Sequence, residues 1–312
     1  MGITHFPNGV SSFGVPVLGG SSGLIPQTTG DYFFVDDSGS NANDGKDPDH
    51  PFADLDYAIG ETTSDHGDVI ILMPGHAESA TAIAADKAGL TIVGLGHGEA
   101  MPTITGTTGN ADLIDVTVDS VVFRNIKLVG GASGTTALID ATGDADFLTV
   151  DRCWLQLGAA APVDAITLAS GADDVTVVYC TFYGNTSALD NFILAEGAVQ
   201  RLTVMNNVFD SIEASGADEA HVQFATTGSG GVLIAENYFK AEDADVLVLM
   251  ASSTSASDHS GLITHNYAAL ADLTTIWGAV VSANFSFGPM YFMQRGTAWG
   301  NSVHLPATTV VA

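Results

Sequence analysis

One short motif recurs seven times in this 312-residue chain and limits the fold more than any other feature. Each copy is a short apolar run, followed by two residues, then Asn or Cys, then an apolar or aromatic residue. The copies begin at Val122, Val150, Val177, Val204, Ile234, Ile263 and Val281. The Asn or Cys falls at positions 125, 153, 180, 207, 237, 266 and 284, so that all but the last are 27 to 30 residues apart. A period of this length is typical of repeat architectures.

A second series of apolar segments lies between these copies. They begin at Ala137, Ala165, Phe192 and Val222, and each is closely followed by a Gly. Each repeat therefore holds at least two short strands separated by Gly-rich bends.

A unit of this size cannot bury its apolar face alone, whereas coils stacked on one another can. Parallel strands of successive coils lie about 4.8 Å apart, so equivalent residues form columns along the axis. The first residues of the seven copies are expected to form one aliphatic column. A second column is expected to contain Asn207, Asn237, Asn266 and Asn284. Asn tolerates a left-handed bend, and stacked side-chain amides hydrogen-bond to one another. The pattern predicts an all-β right-handed parallel β-helix.

The two cysteines, Cys153 and Cys180, occupy the Asn position in neighbouring repeats. Side chains of one column point the same way, which suits a disulfide torsion poorly. We expect two reduced core residues and no zinc site, since no His lies at ligand spacing.

The charge of the chain excludes some partners. With 36 acidic and 8 basic residues the formal net charge is −28, so nucleic acid and anionic membranes are disfavoured. No apolar run reaches about 18 residues, and the first residues match neither a secretory signal nor a myristoylation site. Two interpretations of the acidity remain open, a repulsive soluble surface or carboxylates that hold divalent cations. We predict no cofactor and no metal.

Two segments precede the repeats. Residues 1–30 mix Gly, Ser and Pro with isolated apolar residues and show no helix or strand period, which indicates an extended arm, either an anchor for a partner or a disordered leader. Residues 31–68 predict a cap for the solenoid: a strand at 31–35, an Asp- and Asn-rich loop at 36–49, and a short helix opened by Pro51. The loop lacks the EF-hand spacing, so a turn is favoured, with Ca²⁺ binding as the alternative.

The first hundred residues carry a resemblance to known proteins. The segments 35–45, 51–59, 67–78 and 89–96 resemble the opening of pectate-lyase-like parallel β-helix proteins. Together with the arm at 3–14, the chain resembles β-helix structural proteins encoded among the head genes of tailed bacteriophages. The resemblance implies a virion protein on the capsid exterior, made in the host cytoplasm, that cements or decorates the shell. Its expected partners are the major capsid protein and other copies of itself, with a trimer weakly favoured.

The resemblance also implies the contact regions. The arm would meet the capsid, and its candidate contact residues are Ile3, His5, Phe6, Pro7, Phe13, Val15 and Val17. Residues 69–285 would be the β-helix, and 286–312 a C-terminal cap or oligomerisation tail. Tyr291, Phe292 and Trp299 are the candidates for self-association, because aromatic residues are dense there.

Catalysis is expected to be absent. A lyase needs a cationic base, and the only basic pair on the ladder is Arg124 and Arg152, at equivalent places in neighbouring repeats. We expect both to pair with acids such as Asp151. A glycosidase needs two facing carboxylates, and acids such as Asp173 and Asp174 look scattered. The columns hold aliphatic residues, Asn and Cys, and no column of acids or bases is expected. They therefore predict a scaffold that is not an enzyme; the alternative is a tail or head spike that binds, and can cleave, host polysaccharide.

Overall fold

The protein is a right-handed parallel β-helix, which confirms the predicted fold class. A computed structural model describes residues 11–12, 15–16, 25–26, 28–107, 112–131, 136–158, 164–184, 191–211, 220–224, 228–241, 251–252, 259–270, 285–294 and 302–305. Three sheets run along the solenoid, and a typical coil gives one strand to each of them. The repeat thus holds three strands.

The strands of each sheet are parallel, apart from the last pair of the second sheet. The first sheet contains β3 (Tyr32–Val35), β4 (Val69–Leu72), β7 (Thr91–Gly94), β10 (Val122–Arg124), β13 (Thr149–Asp151), β16 (Thr176–Val178), β19 (Thr203–Met205), β22 (Val232–Ala235), β25 (Gly261–Thr264) and β27 (Phe285–Phe287). The second contains β5 (Ala77–Ala80), β8 (Thr103–Gly106), β11 (Lys127–Val129), β14 (Trp154–Gln156), β17 (Thr181–Tyr183), β20 (Val208–Ser211), β23 (Tyr238–Ala241), β26 (Tyr267–Leu270), β28 (Met290–Gln294) and β29 (Ser302–Leu305). The third contains β6 (Ile83–Ala85), β9 (Ile114–Val116), β12 (Ala137–Ala141), β15 (Asp164–Leu168), β18 (Asn191–Ala195), β21 (Ala220–Phe224) and β24 (Ala251–Ser252).

The beginning of the solenoid matches the strand and helix predicted there. Strand β3 pairs in parallel with β4 and forms the first rung of the first sheet. Helix α1 (Leu55–Gly60) turns Leu55, Ala58 and Ile59 into the core. The parallel ladder runs from β3 to β28, so its strands extend beyond 69–285 at both ends.

The loop at 36–49 uses its polar side chains in turn hydrogen bonds. Asp36 Oδ1 accepts the backbone N–H of Ser38 at 2.9 Å, and Asp47 Oδ1 accepts that of Asp49 at 2.9 Å. Asn41 Oδ1 accepts the N–H of Ala53, which ties the loop to the segment before α1 at 2.9 Å. The bonds of Asp36 and Asp47 are those of Asx turns, the favoured interpretation of this loop.

The arm falls almost entirely outside the described residues. Only a two-stranded hairpin of β1 (Ser11–Ser12) and β2 (Val15–Pro16), and residues 25–26 and 28–30, are described. Val15 is in β2, whose side chains are not described, and the other six candidate contact residues lie outside the described part. Within that part no helix is both long and apolar enough to cross a bilayer.

The aliphatic column exists, but its register differs from the prediction by one residue at its start. Val150 pairs with Phe123 and not with Val122. The column continues through Val177, Val204, Ile234 and Ile263 and ends at Phe287. Because successive strand residues face opposite sides, a slip of one residue exchanges core and surface: Phe123 is fully buried, whereas Val122 is partly exposed. Val281 lies outside the described residues.

The Asn column is confirmed as a hydrogen-bonded amide ladder. Asn207 Nδ2 donates to Asn237 Oδ1 at 3.1 Å, and Asn237 Nδ2 donates to Asn266 Oδ1 at 3.0 Å. The left-handed bend, however, lies one residue earlier, at Asn206 (φ 58°) and its equivalents, not at the ladder Asn. The ladder Asn is therefore selected for its buried amide and not for its backbone. Asn284 lies outside the described residues.

Both cysteines are buried and free, as predicted. Cys180 Sγ lies 3.3 Å from the carbonyl oxygens of Val150 and Val178. Burial raises the pKa of the Cys180 thiol well above its ordinary value, so the group is protonated and unreactive.

His221 lies in the core beside a stack of aromatic rings. Phe209 stacks on Phe182 at 4.6 Å and on Phe239 at 4.8 Å between ring centroids. The His221 ring contacts Phe192, Phe209 and Phe239, with centroid distances of 5.2 to 5.8 Å. Burial lowers the pKa of His221 to about 4, although its Nε2–H donates to the carbonyl of Lys240.

We expect stability to fall as the pH drops from about 6.5 to about 4, because the unfolded chain protonates His221 first. A shift of this size corresponds to a loss of at most about 3 kcal/mol. His221→Phe should flatten this part of the curve of unfolding free energy against pH, measured by urea denaturation. His50→Gln, at an exposed histidine, is the control. If the unfolding free energy of His221→Phe fell with pH as steeply as that of the wild type, His221 would not be the source of this pH dependence.

Candidate functional site

An open cleft of about 390 Å³ lies on the third sheet and is lined by acidic and hydroxyl side chains. Its walls come from consecutive coils, so residues distant in sequence meet there. The lining residues are Asp112, Thr136, Asp140, Asp164, Thr167 and Glu196. The cleft is therefore a polar groove across neighbouring strands.

The sheet register places acids next to one another. Asp115 in β9 and Asp140 in β12 are direct partners in the parallel ladder, and Thr167 in β15 is the next residue of the column. Ile114 and Ile139, one residue earlier, are fully buried. The prediction that no column of acids exists is thus wrong. The signal was present as two Leu-Ile-Asp triplets, 113–115 and 138–140, but the Asn and Cys motif drew the alignment to other strands.

Three carboxyl groups converge at the cleft. Oxygens of Asp112, Asp115 and Asp140 all lie within 4.8 Å of one another. Burial raises the pKa of Asp115, and the charges of Asp112 and Asp140 raise it further. Burial likewise raises the pKa of Asp140; the hydroxyl of Thr167 opposes this shift, and the charge of Asp112 adds to it. Like charges this close favour retention of a proton by one member of the group.

Hydrogen bonds hold the acids of the cleft in place. The backbone N–H of Ala137 donates to Asp112 Oδ1 at 2.8 Å, and the hydroxyl of Thr136 donates to the same oxygen. The hydroxyl of Thr167 donates to Asp140 Oδ1. Asn191 Nδ2 donates to Asp164 Oδ1 at 2.9 Å, and both of these residues are buried. These donors thus fix the carboxylates of Asp112, Asp140 and Asp164 before any ligand arrives.

This geometry is compatible with two kinds of chemistry. Three carboxylates at this separation can share a divalent cation, which prefers oxygen ligands. A protonated and an ionised carboxyl group side by side can also act as an acid and a base. A second cluster consists of Asp31, His66 and Asp68. Its role is structural, because Asp68 already accepts hydrogen bonds from the backbone N–H groups of Asp31 and Thr63 and from His66 Nδ1.

The predicted basic pair is not part of the cleft. Arg124 Nε and Arg152 Nη1 both donate to Asp151 Oδ2, at 2.8 and 2.5 Å, which confirms the expected ion pairing. The two arginines are not equivalent, however, because Arg124 pairs with Asp151 in the ladder and Arg152 is at the left-handed corner, with φ 55°. Among the scattered acids, Asp173 and Asp174 both lie near the guanidinium of Arg201.

The candidates for self-association are only partly described. Tyr291 is in β28 and stacks on Tyr267 at 4.8 Å between centroids, with 39% of its surface exposed. Phe292 is in the same strand, but its side chain is not described, and Trp299 lies outside the described residues. The parallel ladder continues into this region through β27 and β28, and β29 adds an antiparallel strand.

Several solved structures with a similar fold are polysaccharide-processing enzymes. A rhamnogalacturonan lyase matches with a TM-score of 0.50 and 12% identity over 83% of this chain and 73% of that one. Pectate lyase Pel9A matches with a TM-score of 0.50 and 12% identity over 86% of this chain and 78% of that one. A pectin methylesterase in complex with a hexasaccharide matches with a TM-score of 0.50 and 9% identity over 88% of this chain and 92% of that one. No family model and no curated protein matches the chain.

These likenesses establish a pectate-lyase-like parallel β-helix, since identities this low show the fold alone. The expectation that the chain is not an enzyme is overturned by these lyases and the methylesterase. It rested on the absence of any column of acids, and the Asp115–Asp140 column removes that reason.

Proposed function

We propose that the protein binds a polysaccharide in the acidic cleft of the third sheet and hydrolyses its glycosidic bonds. One observation carries the proposal: Asp140, whose pKa is raised by burial and by the charge of Asp112, lines the same cleft as Asp112. Glycoside hydrolysis requires two carboxyl groups in different protonation states on either side of the bond.

The roles follow from the environments of the two residues. Asp140, whose pKa is raised, donates a proton to the departing glycosidic oxygen. Asp112, held by the N–H of Ala137 and the hydroxyl of Thr136, attacks or stabilises the developing cationic carbon. Their oxygens lie no more than 4.8 Å apart, below the separation of about 6.5 to 9.5 Å at which inverting enzymes place a water between their two carboxyl groups. We therefore propose a reaction that retains the anomeric configuration.

A neutral sugar suits this cleft better than an acidic one. The chain carries a net charge of −28, and no Lys or Arg of the described residues lines the cleft. A β-elimination would need a cationic base near the carboxylate of the sugar. The fold neighbours named above act on polysaccharides, which supports a polymer as the substrate.

The chemistry of the products tests the reaction class. We expect the full-length protein to release new reducing ends, without unsaturated sugars, from at least one neutral polysaccharide of the host surface. Activity that persists in a chelator supports carboxylate catalysis, and loss of activity that Ca²⁺ restores assigns the three carboxylates to a cation instead. Unsaturated products, or no products from neutral and acidic polymers alike, would refute hydrolysis in the cleft.

A place on a virion is a second proposal, supported by the sequence resemblance in the first hundred residues. In it, the arm of residues 1–30 attaches the protein to the major capsid protein on the capsid exterior, after synthesis in the host cytoplasm, and copies associate through residues 286–312. The β-helix would then present its cleft to host polysaccharide.

We expect deletion of residues 1–30 to abolish co-sedimentation with capsids while the circular dichroism spectrum of a folded β-protein is kept. A triple replacement of Phe6, Phe13 and Val17 by Ser should weaken binding in the same direction. Full capsid binding by the truncated protein would contradict the proposed attachment.

A further inference from the structure

Positive charge and aromatic rings meet at the corner between the first and second sheets. We propose that this corner, formed by Arg124, Lys127, Arg152, Trp154 and Tyr179, binds an anionic saccharide. The site lies on other strands than the acidic cleft and goes beyond the hydrolysis proposed above.

The five residues come from three successive coils. Lys127 and Trp154 are direct partners in the ladder of the second sheet, and the Lys127 Nζ lies 5.7 Å from the centre of the Trp154 ring. Arg152 and Tyr179 are at equivalent left-handed corners, φ 55° and 56°, with the guanidinium carbon 5.2 Å from the centre of the Tyr179 ring. The left-handed corner points these side chains outward: the Arg152 side chain is 54% exposed, and Tyr179 is 53% exposed.

Charge at this corner is opposite to that of the molecule. Arg124 and Arg152 both pair with the carboxylate of Asp151, which is 7% exposed, and Lys127 brings a third cation over the Trp154 ring. In the rest of the described chain, Lys46, Lys87, Arg201 and Lys240 each have at least one acid of their own within 4 Å. A local excess of positive charge on a chain of net charge −28 suits a small anionic group. Such a group is attracted by the corner once it lies within a Debye length, about 8 Å.

The rings favour a saccharide over an acidic peptide. An aromatic face packs against the apolar face of a sugar ring, while a guanidinium binds its carboxylate or sulfate through paired N–H donors. The outward column of the second sheet that contains Trp154 continues with four more exposed apolar or aromatic residues, Val208, Tyr238, Tyr267 and Tyr291. A linear polymer that runs along the axis would meet a ring or apolar side chain at most coils.

Calorimetric titration of the full-length protein with oligogalacturonate, a heparin oligosaccharide and a neutral maltooligosaccharide tests this site. We expect binding of at least one anionic oligosaccharide, weakened by added salt, and none of the neutral one. Arg152→Gln and Trp154→Ala should each weaken that binding about tenfold, the loss of a charge-assisted hydrogen bond or a stacked ring. Arg201→Gln, at an arginine with a 57% exposed side chain paired with Asp174, is the matched control.

Three results would overturn the proposal: no binding of either anionic oligosaccharide, unchanged affinity in both corner variants, or equal competition by oligoglutamate, which would assign the corner to acidic peptides. Circular dichroism spectra and melting temperatures of the variants establish that they are folded. Cleavage of a neutral polysaccharide should be unchanged in Arg152→Gln, so failure of this site leaves the cleft untouched, and failure of the cleft leaves this site untouched.

Discussion

Asp140→Asn is expected to abolish polysaccharide hydrolysis and to raise the stability of the fold. Removal of a positioned general acid lowers the rate by a factor of about 10² to 10⁴. The amide keeps the shape of the carboxyl group and its oxygen still accepts the hydroxyl of Thr167. It cannot ionise, so it remains in the neutral form that burial and the charge of Asp112 favour at this position.

The sign of the stability effect follows from the raised pKa of Asp140. The folded state binds the proton more tightly than the unfolded state, so the contribution is favourable at acid pH and is lost as the pH rises through the folded-state pKa. Above the ordinary pKa of an Asp side chain, the unfolded chain releases this proton more readily than the folded chain does, which favours unfolding, so the melting temperature of Asp140→Asn should exceed that of the wild type. Gains in stability that accompany lost activity are typical of functional sites.

Asp86→Asn is the matched control for this prediction, because Asp86 is half-exposed, pairs with Lys87 and lies outside the cleft. Its hydrolysis rate and melting temperature should equal those of the wild type. Hydrolysis by Asp140→Asn at the wild-type rate would remove Asp140 from the reaction.

Asn237→Ala is expected to lower the free energy of unfolding by about 3 to 5 kcal/mol, because it leaves several buried polar groups without partners. Asn237 Oδ1 accepts the backbone N–H of Asn207 at 2.9 Å and its Nδ2 at 3.1 Å. Asn237 Nδ2 donates to the carbonyl of Val204 at 2.9 Å and to Asn266 Oδ1 at 3.0 Å. The residue is fully buried, so water cannot replace these bonds.

Tyr238→Ala is the control for the ladder, because Tyr238 follows Asn237 directly but points outward and is 39% exposed. Urea denaturation should place this variant within about 1 kcal/mol of the wild type. An equal loss in both variants would mean that the corner tolerates no substitution and that the amide ladder has no special part in stability.

The period of the sequence was sufficient to predict the solenoid, because stacking is the only way for such short units to bury an apolar face. The period was insufficient to predict how the first copy of the motif aligns with the next strand, where Val150 pairs with Phe123 and not with Val122. Asn125 looks like the ladder Asn but is the left-handed corner residue, with φ 55°, and its side chain donates to the carbonyls of Gly94 and Gly96. Asn occurs both as the buried residue of the amide ladder and as the left-handed corner residue, so the residue type alone does not distinguish the two positions.

The cleft was missed for a different reason. Its acids belong to strands of the third sheet, where Asp115 and Asp140 are separated by only 25 residues, below the period of the Asn and Cys motif. Alignment of the Leu-Ile-Asp triplets would have placed the two acids side by side. The raised pKa values could not be predicted, because they depend on burial and on the approach of Asp112 from the start of another coil.

A crystal structure of Asp140→Asn with a neutral oligosaccharide bound tests the central claim most directly. The account predicts a sugar in the acidic cleft, with a glycosidic oxygen within hydrogen-bonding distance of residue 140 and the anomeric carbon facing Asp112. An oligosaccharide bound only elsewhere, with the cleft empty, would contradict it.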